Sequence, residues 1–214
     1  FDPINTHGQG FIEGNAWNYS LYVPHDPVKL IGLHGGNKKF IAHVDSLFNV
    51  TLDEKHFAES EDITAAGLIG NYVHGNEPSH HVPYLYVFAG AAWKTQERIH
   101  QIVSTMYRNA TDGLCGNDDC GQMSAWYVFS SIGFYPVCPG SNEYVIGSPS
   151  VEKATFNFEN GKQFTVKATN LNDKNIYIQR ILLNGKPLNG YILKHEDIMN
   201  GGMLELVMGA KAKK

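Results

Sequence analysis

The spacing of hydrophobic residues divides the chain into two unlike parts. Over residues 1–135 the apolar positions recur as they do on helices, with polar, glycine-flanked stretches between them. Residues 17–22 follow a Gly14-Asn15 start signal and stop at Pro24. Residues 40–48 place Phe40, Val44, Leu47 and Phe48 on one helix face. Residues 63–73 are apolar, are interrupted by Gly67 and Gly70, and run into a turn at residues 74–78. Residues 83–93 are apolar almost all round, which predicts a helix buried on every side. Residues 94–107 are amphipathic, with Ile99, Ile102, Val103 and Met106 on one face. Residues 123–132 predict another buried helix, ended by Gly133.

From about Asn142 the period changes to two. Residues 144–146, 154–158, 164–168, 176–178 and 204–208 are short alternating runs. Turn signals such as Asn160-Gly161 and Asn184-Gly185 separate them. These runs predict an antiparallel β unit, with the boundary in residues 136–141. The expected organisation is a mainly α part over residues 1–138 and a β segment over 139–214, α+β overall. Helices this apolar leave an exposed flank unless something else covers it, so part of the partner surface is expected outside this chain.

Composition narrows the picture. The 214 residues are 43% hydrophobic and 18% charged, an ordinary globular balance. A net charge of −4, with no long basic run beyond Lys211, Lys213 and Lys214, leaves no electrostatic footprint for nucleic acid. No apolar stretch is long enough for a membrane span. Aromatic residues at 12% and 22 glycines suit stacking on sugar rings, and equally suit tight packing. The three cysteines, Cys115, Cys120 and Cys138, form no C-x-x-C pair, which argues against zinc. A Cys115–Cys120 bridge is sterically conceivable, but small buried thiols are the plainer reading. Asn18, Asn49 and Asn109 open glycosylation sequons that fall in or beside predicted helices and read as chance matches. The chain starts Phe1-Asp2-Pro3, as though cut from something longer, and carries no signal-peptide pattern.

Candidate chemistry lies in three glycine-flanked loops at residues 11–17, 74–81 and 113–123. Each precedes a hydrophobic helix and places a carboxylate near a helix N-terminus, where unpaired N–H groups favour negative charge. For any one loop a plainer account exists: Asp118 or Asp119 capping the helix that follows, and Glu77 belonging to an ordinary turn before Pro78. Three such loops together, with Trp17 and Trp126 behind two of them, fit a carbohydrate site of carboxylates, amides and aromatic faces. Trp126, inside an apolar helix, reads first as core. No H-E-x-x-H, G-x-S-x-G, phosphate loop or dinucleotide fingerprint is present. The adjacent His80 and His81 point apart on a helix and are poorly placed to share a metal. Asn117-Asp118-Asp119 is oxygen-rich without being an EF-hand, which leaves a hard cation open.

At these loops the chain resembles glycoside hydrolase family 92, the calcium-dependent exo-α-mannosidases. The matching runs are Glu13-Gly14-Asn15-Ala16-Trp17 with Val23-Pro24-His25-Asp26, then His74-Gly75-Asn76-Glu77-Pro78-Ser79-His80-His81. A third run covers Gly116-Asn117-Asp118-Asp119-Cys120-Gly121-Gln122-Met123-Ser124-Ala125-Trp126-Tyr127-Val128, followed by Gly133-Phe134-Tyr135-Pro136. The resemblance implies an N-terminal β-sandwich packed on an (α/α)6 barrel. This chain would supply the last barrel helices and the C-terminal β segment, so the missing β-sandwich and remaining helices are expected partners.

The resemblance also implies an inverting mechanism, with two carboxyl groups roughly 6.5–9.5 Å apart. By motif position the acid falls on Glu13 and the base on Asp119, with Asp118 as the alternative. Asn117 stands where the family often has an acid. Glu13 would be kept protonated by an apolar wall such as Trp17 or Phe11, or by a nearby carboxylate. Calcium is the implied cofactor, with Asn76 and Glu77 as candidate ligands or their neighbours. Trp17, His80, Gln122 and Asn117 are the candidate substrate contacts, for a mannose-containing glycan. A periplasmic, cell-surface or secreted location follows from the same resemblance. Two other readings stand beside it. One is a carbohydrate-binding module without catalysis. The other is a phosphorylase on the same barrel, which Arg98, Arg108 and Arg180, the chain's only arginines, do not equip with an evident phosphate pocket.

Overall fold

The computed structural model describes residues 10–11, 14–51, 53 and 65–214. Helix α1 (Ala16–Tyr19) opens on a reciprocal cap. Asn15 Oδ1 accepts from the backbone N–H of Trp17 and Asn18, and Asn18 Oδ1 accepts from that of Asn15. Helix α2 (Pro27–Leu33) starts with Asp26 accepting the Lys29 N–H at 3.0 Å and with Pro27 at its first position. Helix α3 (Asn37–Asn49) buries Phe40, Val44, Leu47 and Phe48, the predicted stripe.

Residues 63–73 hold a different element. A 3-10 turn (Ala65–Gly67) leads into a hairpin of β1 (Leu68–Ile69) and β2 (Tyr72–Val73). Gly70 makes its turn with φ +62°, against the end of α3: a Cβ there would lie 2.6 Å from the Leu47 carbonyl. Only glycine combines that backbone with that approach.

The apolar run at residues 83–93 is not one helix. It forms a 3-10 turn (Val82–Tyr84) and α4 (Leu85–Phe88), then breaks before α5 (Ala92–Thr105). The break is a Schellman motif. Gly90, at φ +78°, donates to Val87, and Ala91 donates to Tyr86. Hydrophobicity all round concealed a glycine stop. Helix α5 buries Ile99 and Ile102.

Helix α6 (Gln122–Ile132) ends at Gly133 with φ +114°, as predicted. It is not buried on every side. Met123 and Trp126 face the core, whereas Tyr127 and Val128 are exposed. A cavity of about 500 Å³ opens beside them, lined in part by Tyr107, Leu114 and Ser124.

The second part is built on two sheets. The larger has five strands in the order β5 (Lys153–Asn157), β6 (Gln163–Thr169), β10 (Gly202–Gly209), β7 (Tyr177–Leu183) and β8 (Lys186–Pro187). The smaller joins β3 (Phe134–Tyr135), β4 (Glu143–Ile146) and β9 (Ile192–Lys194). Alternation works as expected: Phe164, Val166 and Ala168 face inward from β6, and Leu204, Leu206 and Met208 from β10. The expectation of an antiparallel unit needs one correction, because β10 pairs parallel with β6. The last strand inserts between β6 and β7, so it must run with one neighbour and against the other. Helix α7 (His195–Met199) adds Ile198 to this core.

The two parts are stitched together. Gln96 Oε1 on α5 accepts the Ile178 backbone N–H at 3.0 Å, and the Tyr177 hydroxyl donates to Glu97. Phe134 belongs to the sheet core while its neighbour Tyr135 belongs to the helical core.

Candidate active site

Buried polar groups draw the three loops together. Asn71, at the hairpin turn, receives Asn15 Nδ2 on its side chain at 2.8 Å and Asn18 Nδ2 on its carbonyl at 2.6 Å. Asn18 is buried in this contact, consistent with reading its sequon as a chance match. His81 Nε2 donates to the Leu21 carbonyl at 2.8 Å, tying the second loop to the segment just after α1. The second and third loops meet backbone to backbone. A Cβ on Gly116 would stand 2.3 Å from the Gly75 carbonyl, and one on Gly67 would stand 2.8 Å from the Cys115 carbonyl. This packing leaves room only for glycine.

Beneath the loops lies a chain of hydrogen bonds. Tyr72 Oη sits 2.8 Å from His74 Nδ1, and His74 Nε2 sits 2.7 Å from Tyr107 Oη. Tyr107 in turn donates to the Met123 carbonyl at 3.2 Å. With its own proton committed there, Tyr107 accepts from His74 Nε2–H, and His74 Nδ1 accepts from Tyr72. Burial, and then the neighbouring His80, press the His74 pKa well below the usual histidine range. Burial likewise lowers His80 to about 4. His80 Nε2 lies 3.0 Å from the His74 carbonyl, and its Nδ1 lies 3.2 Å from Gln122 Nε2. Trp126 is fully buried, and its indole N–H donates to the His80 carbonyl at 3.0 Å. Trp126 is therefore core, and it also anchors the second loop.

The third loop separates its two aspartates. Asp118 is half-buried, and its Oδ1 accepts the Ser124 backbone N–H at 2.9 Å in the first turn of α6. Its carbonyl also accepts from Gly121 and Met123. Between them, Asp119, Cys120 and Gly121 take left-handed φ values of +44°, +59° and +91°. For the two non-glycine residues this costs on the order of 1 kcal/mol each. Asp119 is carried on the outside of this turn, exposed. Asn117 is exposed beside it. Cys115 is buried, its thiol pushed up to about 11 by desolvation, whereas Cys120 is exposed and no disulfide joins them.

The remaining expected residues fall as follows. Glu13 lies outside the described residues. Its neighbours are anchored: Gly14 is buried at φ +91°, and Phe11 stacks on Tyr19 with ring centroids 5.1 Å apart. Trp17 packs against His43 at 5.6 Å, and its indole N–H is buried with no hydrogen-bond partner among the described residues. Asn76 is buried, and its Oδ1 accepts the Glu77 backbone N–H at 3.0 Å. Glu77 is half-buried beside it. These are oxygen donors of the type a hard cation takes, but calcium needs six to eight. Among the described residues no three His, Cys, Asp or Glu side chains gather as a metal cluster. His80 has both ring nitrogens engaged within the protein, so its expected sugar contact would have to displace one of these bonds.

Sequence reasoning passed over His74, Tyr107 and Tyr135. Tyr135 Oη accepts from Gln122 Nε2 at 3.1 Å, and burial, with smaller contributions from Tyr22 and Glu77, lifts its pKa to about 12. Its place inside a matched run was the only available signal.

Known proteins resemble this chain in sequence and in fold. The family description "Glycosyl hydrolase family 92 catalytic domain" matches residues 1–210. A protein of Arthroderma benhamiae described as an uncharacterized secreted glycosidase is 34% identical over 98% of this chain. The family GH92 α-mannosidase BT3965 of Bacteroides thetaiotaomicron, solved with mannoimidazole, superposes with a TM-score of 0.90 at 43% identity over 99% of the chain. The family GH92 inverting mannosidase BT2199 of the same organism gives 0.84 at 39% identity, also over 99%. The chain spans 25% of the length of the fungal relative and 28% and 29% of the two bacterial structures. No helix among the described residues is long and apolar enough to cross a membrane.

Proposed function

The chain belongs to glycosyl hydrolase family 92, and on that premise we propose that it carries the catalytic carboxylates of an inverting, calcium-dependent exo-α-mannosidase. The observation that carries this reading is the third loop. Asp118 spends its carboxylate on the α6 backbone, and the left-handed turn it closes holds Asp119 out in solvent. That leaves the Asp119 carboxylate accessible to a water molecule, as the role of general base requires. The description of BT2199 as an inverting mannosidase, at 39% identity, supports the stereochemical course.

In the proposed reaction Glu13 protonates the departing glycosidic oxygen. Asp119 removes a proton from water, which attacks the anomeric carbon from the opposite face. Glu13 must stay protonated near neutral pH, which an apolar wall against Trp17 or Phe11 would favour. Trp17, Asn117 and Gln122 contact the sugar, and His80 acts through Gln122. Asn76 and Glu77 are the residues that would hold calcium, which supplies Lewis-acid stabilisation to sugar hydroxyls when bound. The helices are the last of an (α/α)6 barrel. The exposed Tyr127 and Val128 face of α6 is where the remaining helices seat. The substrate is a mannose-terminated glycan met outside the cytoplasm, in line with the secreted fungal relative.

Glu13→Gln and Asp119→Asn test the assignment in the protein at its natural length. Each should lower the rate by roughly a hundredfold or more while mannoside binding persists. Unchanged rates in both variants would contradict it. A non-catalytic binding module would show binding with no rate to lose.

A further inference from the structure

Gln122 opens α6 with a half-buried side chain, and the groups around it dictate which way its amide faces. The His74 carbonyl only accepts, so His80 Nε2, 3.0 Å away, must carry the proton. The ring is buried, and an amide nitrogen, which cannot accept, is set against its Nδ1, so Nδ1 is the lone-pair side and requires a donor. Gln122 Nε2, at 3.2 Å, supplies that donor. Its second proton goes to Tyr135 Oη at 3.1 Å. Both amide protons are then committed inside the protein. Gln122 Oε1 and the Tyr135 O–H proton are left over, on side chains already joined by the Nε2–Oη bond, and neither has a partner among the described residues. One is an acceptor, and the other is a donor on a side chain more than nine-tenths buried.

We infer that this pair reads one hydroxyl group of the bound sugar, Gln122 Oε1 accepting its proton and Tyr135 O–H donating to its oxygen. A hydroxyl both gives and takes a hydrogen bond, so it satisfies the pair. A hydrogen or an ether at that carbon leaves one or both groups unpaired. His80 is then a positioning residue. It never touches the sugar, and it relays the direction of a backbone carbonyl to the amide. The inference rests on the mannoside reading for the identity of the sugar, but the amide orientation does not.

Two measurements on the protein at its natural length separate these layers. Nitrogen NMR of labelled histidine, assigned with His80→Asn, reads the imidazole directly. A proton on Nε2 is expected, and a proton on Nδ1 would overturn the proposal whatever the protein hydrolyses. The second measurement is kcat/KM on an α-mannobiose and its monodeoxy analogues at the terminal ring. Gln122→Met and Tyr135→Phe should each lose about 10- to 100-fold on the parent sugar. On one deoxy analogue, the same for both variants, they should lose almost nothing. His80→Leu should follow Gln122→Met, and His80→Asn, which keeps an acceptor near the Nδ1 position, should recover most of the loss. Equal losses on every analogue would reduce the pair to packing and overturn the proposal. No turnover of any mannoside, with the Nε2 proton in place, would overturn its sugar half together with the mannosidase reading.

Discussion

The Asp118 carboxylate holds the Ser124 backbone N–H at 2.9 Å across a turn whose middle residues are all left-handed. This contact gives the two neighbouring aspartates different surroundings, one carboxylate held by the helix and the other exposed. Asp118→Ala should cost about 1 kcal/mol of stability, the usual loss of a helix cap. It should also lower kcat tenfold or more by loosening Asp119. Asp118→Asn keeps a capping oxygen and should stay within a few-fold of the parent, whereas Asp119→Asn should not. Steady-state kinetics with thermal melts of the three variants checks this. An Asp118→Asn variant as inactive as Asp119→Asn would move the base to Asp118.

Gly116 and Gly75 fix how closely the second and third loops approach. A Cβ on Gly116 would meet the Gly75 carbonyl at 2.3 Å, backbone against backbone, where no flexible side chain can give way. Gly116→Ala should destabilise the protein by about 1–3 kcal/mol, the scale of overpacking. It should also lower activity more than Gly161→Ala, whose Cβ meets nothing, although Gly161 is itself left-handed at φ +78°. Chemical denaturation with parallel kinetics distinguishes the two.

Buried neutral histidines make stability depend on pH. His80 binds its proton near pH 4 in the folded state and near 6.5 when unfolded. Between these values the unfolded chain holds more protons, so stability is complete above about pH 6.5 and falls as pH drops towards 4. For His80 alone the loss is about 3 kcal/mol. His74 and His81, also lowered by burial, act in the same direction. Urea midpoints from pH 7.5 to 4.5 should decline through this window, and Trp126 provides a buried fluorophore within the network. A flat profile would mean that these imidazoles are not buried neutral.

Calcium should raise the melting temperature if Asn76 and Glu77 contribute ligands. At a hundredfold excess over its dissociation constant it adds about 2.7 kcal/mol. Glu77→Gln should abolish most of that shift and the activation by calcium together. Calorimetry with and without a chelator reads the first, and a rate assay the second. A shift that survives Glu77→Gln would place the ion elsewhere.

Much of the helical part was legible because its cores are local stripes. Phe40, Val44, Leu47 and Phe48 on α3 and Ile99 and Ile102 on α5 bury as their spacing predicts. Residues 83–93 misled because a run that is apolar all round has no face, and the Gly90 stop depends on two backbone bonds invisible to periodicity. The parallel pairing of β10 with β6 is a choice between distant partners that alternation cannot register. At the candidate site, the motifs named loops that the structure packs against one another. They did not divide Asp118 from Asp119, or show that both His80 nitrogens are spent, because those facts reside in hydrogen-bond direction. Tyr135 was quoted only as part of a matched run, because an aromatic two residues after a helix-ending glycine reads as packing.

Hydrolysis of a panel of α-linked mannobioses by the protein at its natural length, followed by NMR of the first sugar released, tests the central claim most directly. The account predicts release of β-mannose that stops when calcium is chelated and stops again in Asp119→Asn. Release of α-mannose would contradict the inverting assignment of Glu13 and Asp119.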